Sequence, residues 1–229
     1  MKLIEKILTK KIKGFIFDLD GTLINTLGHH VDAFQIAFEK LGIKVNREEI
    51  KHNMGRTPWD IPRDILYKKP MDDLNEDEKK LVDKIASMKI EIYHKKIADN
   101  IPLQDGVKEV LSYLKEREIR LAVCSSTPKM NVHHILKKIG IYDFFDAIIT
   151  GDNVKVGKPN PEAFLIAVKK IGLNKENCFI VGDSVHDIEA GNRGNIKTIA
   201  VCTGFHDREE LKDIKPEIII NDLTDLLGA

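Results

Sequence analysis

Cysteine is scarce: the 229 residues hold three, Cys124, Cys178 and Cys202, far apart and set in apolar runs. That spacing excludes a disulfide framework and a CxxC metal site, and a reducing, cytoplasmic compartment is the expectation. An excess of charge is missing too, with 36 Lys plus Arg against 36 Asp plus Glu. No net field gathers nucleic acid or anionic lipid, so neither is expected as a partner. No run approaches the roughly 18 apolar residues of a membrane span. The opening MKLIEKILTKKIKG is broken by Lys and Glu every few positions, so it lacks the apolar stretch of a secretory signal. It reads as a short amphipathic helix with a solvated face.

What is present is an ordinary globular mixture, 42% hydrophobic and 31% charged, too apolar for a disordered chain. At about 150 residues per domain the length allows one sizeable core and one insertion. Short apolar runs occur at Gly14–Asp18, Ile119–Cys124, Ala147–Ile149, Cys178–Val181, Thr198–Val201 and Glu217–Ile220. Between them fall helical patterns at Gly106–Arg117, Lys129–Ile139, Pro161–Ile171 and Val185–Arg193. Strands alternating with helices predict an α/β fold, a Rossmann-like parallel sheet covered on both faces. The stretch from Asn25 to Ile101 breaks the alternation, with no strand run and several charge-rich helical periods. It reads as a helical insertion whose helices start near Leu27, Arg47, Pro58 and Asn75, punctuated by Gly42, Gly55 and Pro70. The predicted division is a discontinuous core of residues 1–25 and 102–229, with a helical domain of residues 26–101.

In an open parallel sheet, ligands sit outside the carboxyl ends of the strands, which makes the residues after each run informative. The first run ends in Asp18-Leu19-Asp20-Gly21-Thr22, two carboxylates followed by a turn-forming glycine. The second ends in Cys124-Ser125-Ser126-Thr127, hydroxyls and free backbone N–H groups suited to an anion. Gly157-Lys158-Pro159-Asn160-Pro161 fixes one lysine in a proline-stiffened turn. Gly182-Asp183-Ser184-Val185-His186-Asp187 returns two further acids. Four carboxylates, one lysine and a hydroxyl suit a hard divalent cation and a phosphate. The histidine pairs His29-His30 and His133-His134 complete no zinc set, because adjacent residues point apart on a helix.

The order and spacing of these motifs closely resemble the haloacid dehalogenase superfamily over about residues 14–225, with an insertion similar to its helical cap of the first type. The resemblance places hinges near Asn25–Thr26 and Ile101–Leu103. It implies that Asp18 is the nucleophile and that Asp20 protonates the leaving oxygen and then activates water. It further implies Mg2+ held by the Asp18 carboxylate, the Asp20 carbonyl and Asp183. Lys158 and Ser125 would bind phosphoryl oxygens, with Ser126 adding to the phosphate site and Ser126 or Thr127 able to replace Ser125. Asp187 would orient Lys158 or a metal-bound water. Two phosphate-dianion charges 4 Å from a carboxylate each cost roughly 4 kcal/mol at an effective dielectric near 20, so such cations are a physical necessity.

By the same resemblance, His30 faces the site from the first inserted helix. Arg56 sits in a specificity loop, where it pairs with a substrate carboxylate or second phosphate, or is a plain surface arginine. Trp59 reads as a packed aromatic. Aspartate at position 20, where dehalogenases carry tyrosine, favours phosphate-ester chemistry. The leading expectation is a Mg2+-dependent phosphatase, monomeric by default, acting on a small phosphorylated metabolite, with 2-phosphoglycolate the first guess. The alternatives are a β-phosphoglucomutase-like mutase, an inorganic pyrophosphatase and a non-catalytic metabolite-binding protein.

Overall fold

In the computed structural model, which describes residues 2–8, 11–97 and 101–228, six strands form one parallel sheet. They are β1 (Gly14–Phe17), β2 (Arg120–Cys124), β3 (Ala147–Ile149), β4 (Cys178–Gly182), β5 (Lys197–Val201) and β6 (Ile218–Ile220). The helices are α1 (Leu3–Ile7), α2 (Leu27–Glu39), α3 (Arg47–His52), α4 (Asp60–Leu66), α5 (Glu76–Lys96) and α6 (Val107–Lys115). They continue as α7 (Lys129–Lys138), α8 (Glu162–Lys170), α9 (Val185–Gly194), α10 (Arg208–Asp213) and α11 (Thr224–Leu227). Residues 9–10 of the basic opening and 98–100 of the expected insertion lie outside the described residues.

The strand order is β3-β2-β1-β4-β5-β6, so the chain leaves β1 on one side to build β2 and β3 and returns to build β4 to β6 on the other. That reversal makes the carboxyl end of β1 the switch point, where a crevice opens. The central strands read as unbroken apolar runs because both faces are buried. Phe15, Phe17, Leu121, Val123 and Val181 enter one core with α6 and α7. Their alternates Ile16, Ala122, Cys124 and Ile180 enter the other with α8. The three cysteines are free. Among the described residues no helix is long and apolar enough to cross a membrane.

Helices α2 to α5 pack around a core of their own, in which Val31, Phe34, Phe38, Ile50, Ile61 and Ile85 are buried together. The longest, α5, is capped by Asn75, whose side chain accepts from the N–H groups of Asp77 and Glu78. Acids fill its first turn and His94, Lys95 and Lys96 its last, each complementing the helix dipole. The two connections to this layer lie side by side: Asn25 N donates to Pro102 O (2.8 Å), and Ile24 and Leu103 form an antiparallel bridge. The helix expected near Pro58 begins at Asp60, and the opening helix buries Ile4 and Ile7.

Candidate active site

Asp18 directly follows β1, and its N–H extends the ladder by donating to Val181 O (2.8 Å), which aims the side chain out of the sheet's end. Its Oδ1 accepts from Lys158 Nζ at 2.5 Å. The same ammonium lies 2.7 Å from Asp187 Oδ1 and donates to Cys124 O (3.1 Å). Lys158, Asp18, Asp183 and Asp187 are 2%, 5%, 3% and 0% exposed, so these charges interact with little water between them.

Asp187 is placed by helix formation. Ser184 caps α9, its hydroxyl accepting from Asp187 N while donating to Asp187 Oδ2 (2.5 Å). The Asp187 carboxylate closes the capping box by accepting from Ser184 N (3.2 Å), which leaves Oδ1 for Lys158. Asp183 is held differently, with Oδ1 accepting from Thr22 Oγ1 (2.8 Å). A Cβ on Gly21 or Gly204 would lie 2.2 Å or 2.3 Å from Asp183 Oδ2, so only glycine fits at either place. Gly21 also has φ +98°, in the left-handed region.

Burial is the main influence on these acids. It pushes Asp18 from 3.8 up to about 7 against the pull of Lys158, and the charges of Asp187 and Asp20 add to the rise. Burial, with Asp18 and Asp187 as like-charged neighbours, also raises Asp183 well above its usual value. Lys158 is raised: burial opposes its charge, but Asp18 and Asp187 outweigh that and keep it protonated.

Asp20 turns to the opposite side. Its Oδ1 accepts from Thr26 Oγ1 (2.6 Å) and Tyr93 OH (2.9 Å) and contacts His30 Nε2 (2.8 Å), while Oδ2 accepts from Thr127 Oγ1 (3.0 Å). Burial opposes its ionisation, yet His30, Thr26 and Tyr93 prevail and hold the carboxyl well below the usual range. Behind His30 stands Lys89, its Nζ 2.7 Å from His30 Nδ1 and its charge over the rings of Tyr93 (4.9 Å) and Phe34 (5.0 Å). Burial brings Lys89 down to about 7, although Asp20 favours its charge.

A cavity joins the two groups, lined by Asp18, Asp20, Ser125 and Thr127 on the sheet side and by His30 and Lys89 on the helical side. Arg56 also lines it, paired with Asp64. Phe34, Met54, Pro58 and Ile61 supply apolar wall. Ser125 Oγ accepts from Thr127 N (3.0 Å), whereas the Ser126 hydroxyl donates to Gly55 O (2.8 Å) and the Thr127 hydroxyl holds Asp20. Of the three hydroxyls expected to bind phosphate, two already donate their O–H to protein oxygens. Trp59 is half-buried beside this region.

The structure therefore brings Asp18, Lys158, Asp183 and Asp187 together and sets Asp20, His30, Arg56, Ser125 and Ser126 around the adjoining cavity. Sequence reasoning did not single out Thr26, Lys89 or Tyr93. Thr26 lies in a predicted hinge, and Lys89 and Tyr93 are four apart on one helix face, but nothing local links them to Asp20.

The donor set fits a divalent cation. Asp18, Asp183 and Asp187 are buried, and an oxygen from each lies within 4.8 Å of the others. One lysine cannot neutralise three carboxylates, and an all-oxygen set matches Mg2+ better than softer metals.

These features define a doubly wound α/β protein with an acidic site at the switch point. The profile of the haloacid dehalogenase-like hydrolases matches residues 15–201, and the chain belongs to that family. It is 31% identical to Pyrophosphatase PpaX of Oceanobacillus iheyensis, over 94% of this chain and 95% of that one. A crystal structure of a predicted phosphoglycolate phosphatase from Haemophilus somnus superposes with TM-score 0.81 at 26% identity, covering 96% of this chain and 98% of the other. β-Phosphoglucomutase of Clostridium difficile superposes with TM-score 0.77 at 27% identity, covering 94% and 93%.

Proposed function

We propose that this chain is a Mg2+-dependent phosphatase that hydrolyses a small phosphorylated metabolite through an aspartyl phosphate on Asp18. The observation that carries the reading is the buried group of Asp18, Lys158, Asp183 and Asp187 opening onto a cavity faced by Asp20. The Asp18 and Asp183 carboxylates and the Asp20 carbonyl would hold Mg2+, which when bound supplies charge neutralisation for a phosphoryl oxygen. Asp187 steadies Lys158, and Lys158 offers its ammonium to a second oxygen. Ser125, whose Oγ accepts from Thr127 N, keeps its own O–H to give to a third.

Asp18 Oδ attacks phosphorus, the ester bond breaks, and the leaving oxygen takes a proton from Asp20. Asp20 then removes a proton from water as that water displaces Asp18 from phosphorus. In the geometry seen here Asp20 is ionised and accepts from its neighbours, which suits the second step. The first step needs a protonated Asp20, hence a loosening of its contacts with Thr26, Tyr93 and His30.

Residues 26–101 act as a cap over the cavity and exclude bulk water. The pocket wall carries Arg56, paired with Asp64, and Lys89, an amine that a bound anion would hold protonated, and both suit a substrate with a second anionic group. A 2-phosphoglycolate carboxylate meets that requirement. So does the second phosphate of inorganic pyrophosphate, a reading favoured by the 31% identity to a pyrophosphatase over nearly its whole length.

Phosphate release from 2-phosphoglycolate, pyrophosphate, sugar phosphates and nucleoside monophosphates, with Mg2+ or EDTA, tests the proposal. Release that requires Mg2+ and fails in Asp18→Asn is expected. No release from any of them, with conversion of glucose 1-phosphate to the 6-phosphate when primed by bisphosphate, would replace hydrolysis by the mutase reading.

A further inference from the structure

A second group of potential ligands lies apart from the acidic cluster. His52 ends α3, His186 lies in the first turn of α9, and His206 is in the loop between β5 and α10. His206 stands between the other two, its ring centroid 5.8 Å from that of His52 and 5.8 Å from that of His186. A metal ion about 2.1 Å from an imidazole nitrogen lies roughly 3.2 Å from the ring centroid, so two rings sharing it stand about 5–6 Å apart. Both observed separations fall in that range.

The ring nitrogens give an independent indication. Nε2 of His186 and Nε2 of His206 are buried with no hydrogen-bond partner among the described residues. His206 is 4% exposed, and the backbone of His52 lies against its ring. A buried imidazole that keeps one ring nitrogen bare has a lone pair to offer a metal ion. Buried polar atoms without partners are rare enough to need an explanation. Glu210 Oε1 lies 4.0 Å from His52 Nδ1 and adds a carboxylate, while the Arg56 guanidinium near His186 is already paired with Asp64.

We propose that His52, His186 and His206 form a binding site for a borderline transition-metal ion such as Zn2+, with Glu210 beside it, separate from the all-oxygen site at Asp18 and Asp183. Imidazole nitrogens suit Zn2+, whereas Mg2+ prefers oxygen. Among the described residues only the acidic trio has ligand atoms already gathered within 4.8 Å. The histidine site closes by rotation of His52, whose side chain is 73% exposed. His52 belongs to the inserted helices and the other two to the sheet's edge, so an ion here ties one to the other. If the phosphatase reading holds, that tie slows turnover.

Calorimetric titration of Zn2+ into Mg2+-saturated protein tests the site without reference to turnover, so it stands whether or not the phosphatase reading does. One bound ion is expected, with affinity at least tenfold weaker in His206→Asn and in His52→Ala and unchanged in Asp183→Asn. His52→Ala alters an exposed side chain and leaves the core intact, which keeps the result readable if His206→Asn folds poorly. Absence of Zn2+ binding, wild-type affinity in both histidine variants, or loss only in Asp183→Asn would overturn the proposal.

Discussion

Replacing Asp18 by Asn should abolish turnover and at the same time stabilise the metal-free protein at alkaline pH. Burial and like-charged neighbours push the carboxyl from 3.8 to about 7, so it binds its proton more tightly folded than unfolded. Its stabilising contribution is complete below pH 3.8 and is lost as pH rises through about 7. At 1.36 kcal/mol per pH unit, ionising it in the fold costs up to about 4 kcal/mol at pH 8. Asparagine has nearly the same shape, stays neutral and still offers Lys158 an oxygen. Some gain is forfeited because Lys158 exchanges a charged partner for a neutral one, so a net stabilisation of about 1–3 kcal/mol is expected.

Urea unfolding in EDTA at pH 8 and pH 5 measures this. The gain should be largest at pH 8 and shrink at pH 5, where wild-type Asp18 is protonated when folded. In a domain of this size 1 kcal/mol corresponds to roughly 2–4 °C in Tm. Mg2+ at a hundred times its Kd stabilises wild type by about 2.7 kcal/mol and should narrow or reverse the difference. A less stable Asp18→Asn at pH 8 in EDTA, or a gain that ignores pH, would refute the electrostatic reasoning.

Other perturbations separate the contributions. Lys158→Met leaves Asp18 and Asp187 buried without their cation and should destabilise the protein by about 3–5 kcal/mol at pH 8, by urea unfolding, with loss of phosphate release. Tyr93→Phe removes one donor from Asp20, so the acid limb of the pH–rate profile should move up, since Asp20 loses part of what holds it ionised. Lys89→Met should stabilise the protein more at pH 6 than at pH 10, because burial lowers Lys89 from 10.5 to about 7 and the cost of burying it builds as pH falls between those values, while kcat falls as His30 loses its neighbour. Gly204→Ala puts a methyl where Asp183 Oδ2 stands and should weaken Mg2+ binding by calorimetry while 2-phosphoglycolate or pyrophosphate affinity changes less.

The sheet was legible because β1, β2 and β4 are short runs buried on both faces, a pattern that survives without an alignment. Helix α10 was not, since it has six residues and buries only Leu211; its signal was the capping pair Asp207 and Glu210. Asp18, Asp20 and Asp183 were legible as polar residues leaving strand ends, and Lys158 as the lysine of a proline-stiffened turn. Asp187 was legible as a partner of Lys158, and its two carboxylate oxygens divide the work: Oδ1 faces Lys158 and Oδ2 closes the capping box of α9. The hydroxyl of Ser126 turns to Gly55 O, a contact that exists only once the insertion folds over the sheet. Lys89 and Tyr93 were silent for the same reason: they meet His30 and Asp20 across 59 and 73 residues of chain.

The most direct test of the central claim is acid quenching during turnover of phosphorus-labelled substrate, 2-phosphoglycolate or pyrophosphate, followed by peptide mapping. The account predicts label on the peptide containing Asp18, released by hydroxylamine as an acyl phosphate is, and none in Asp18→Asn. Phosphate release that proceeds in Asp18→Asn, with no label on that peptide in wild type, would contradict it.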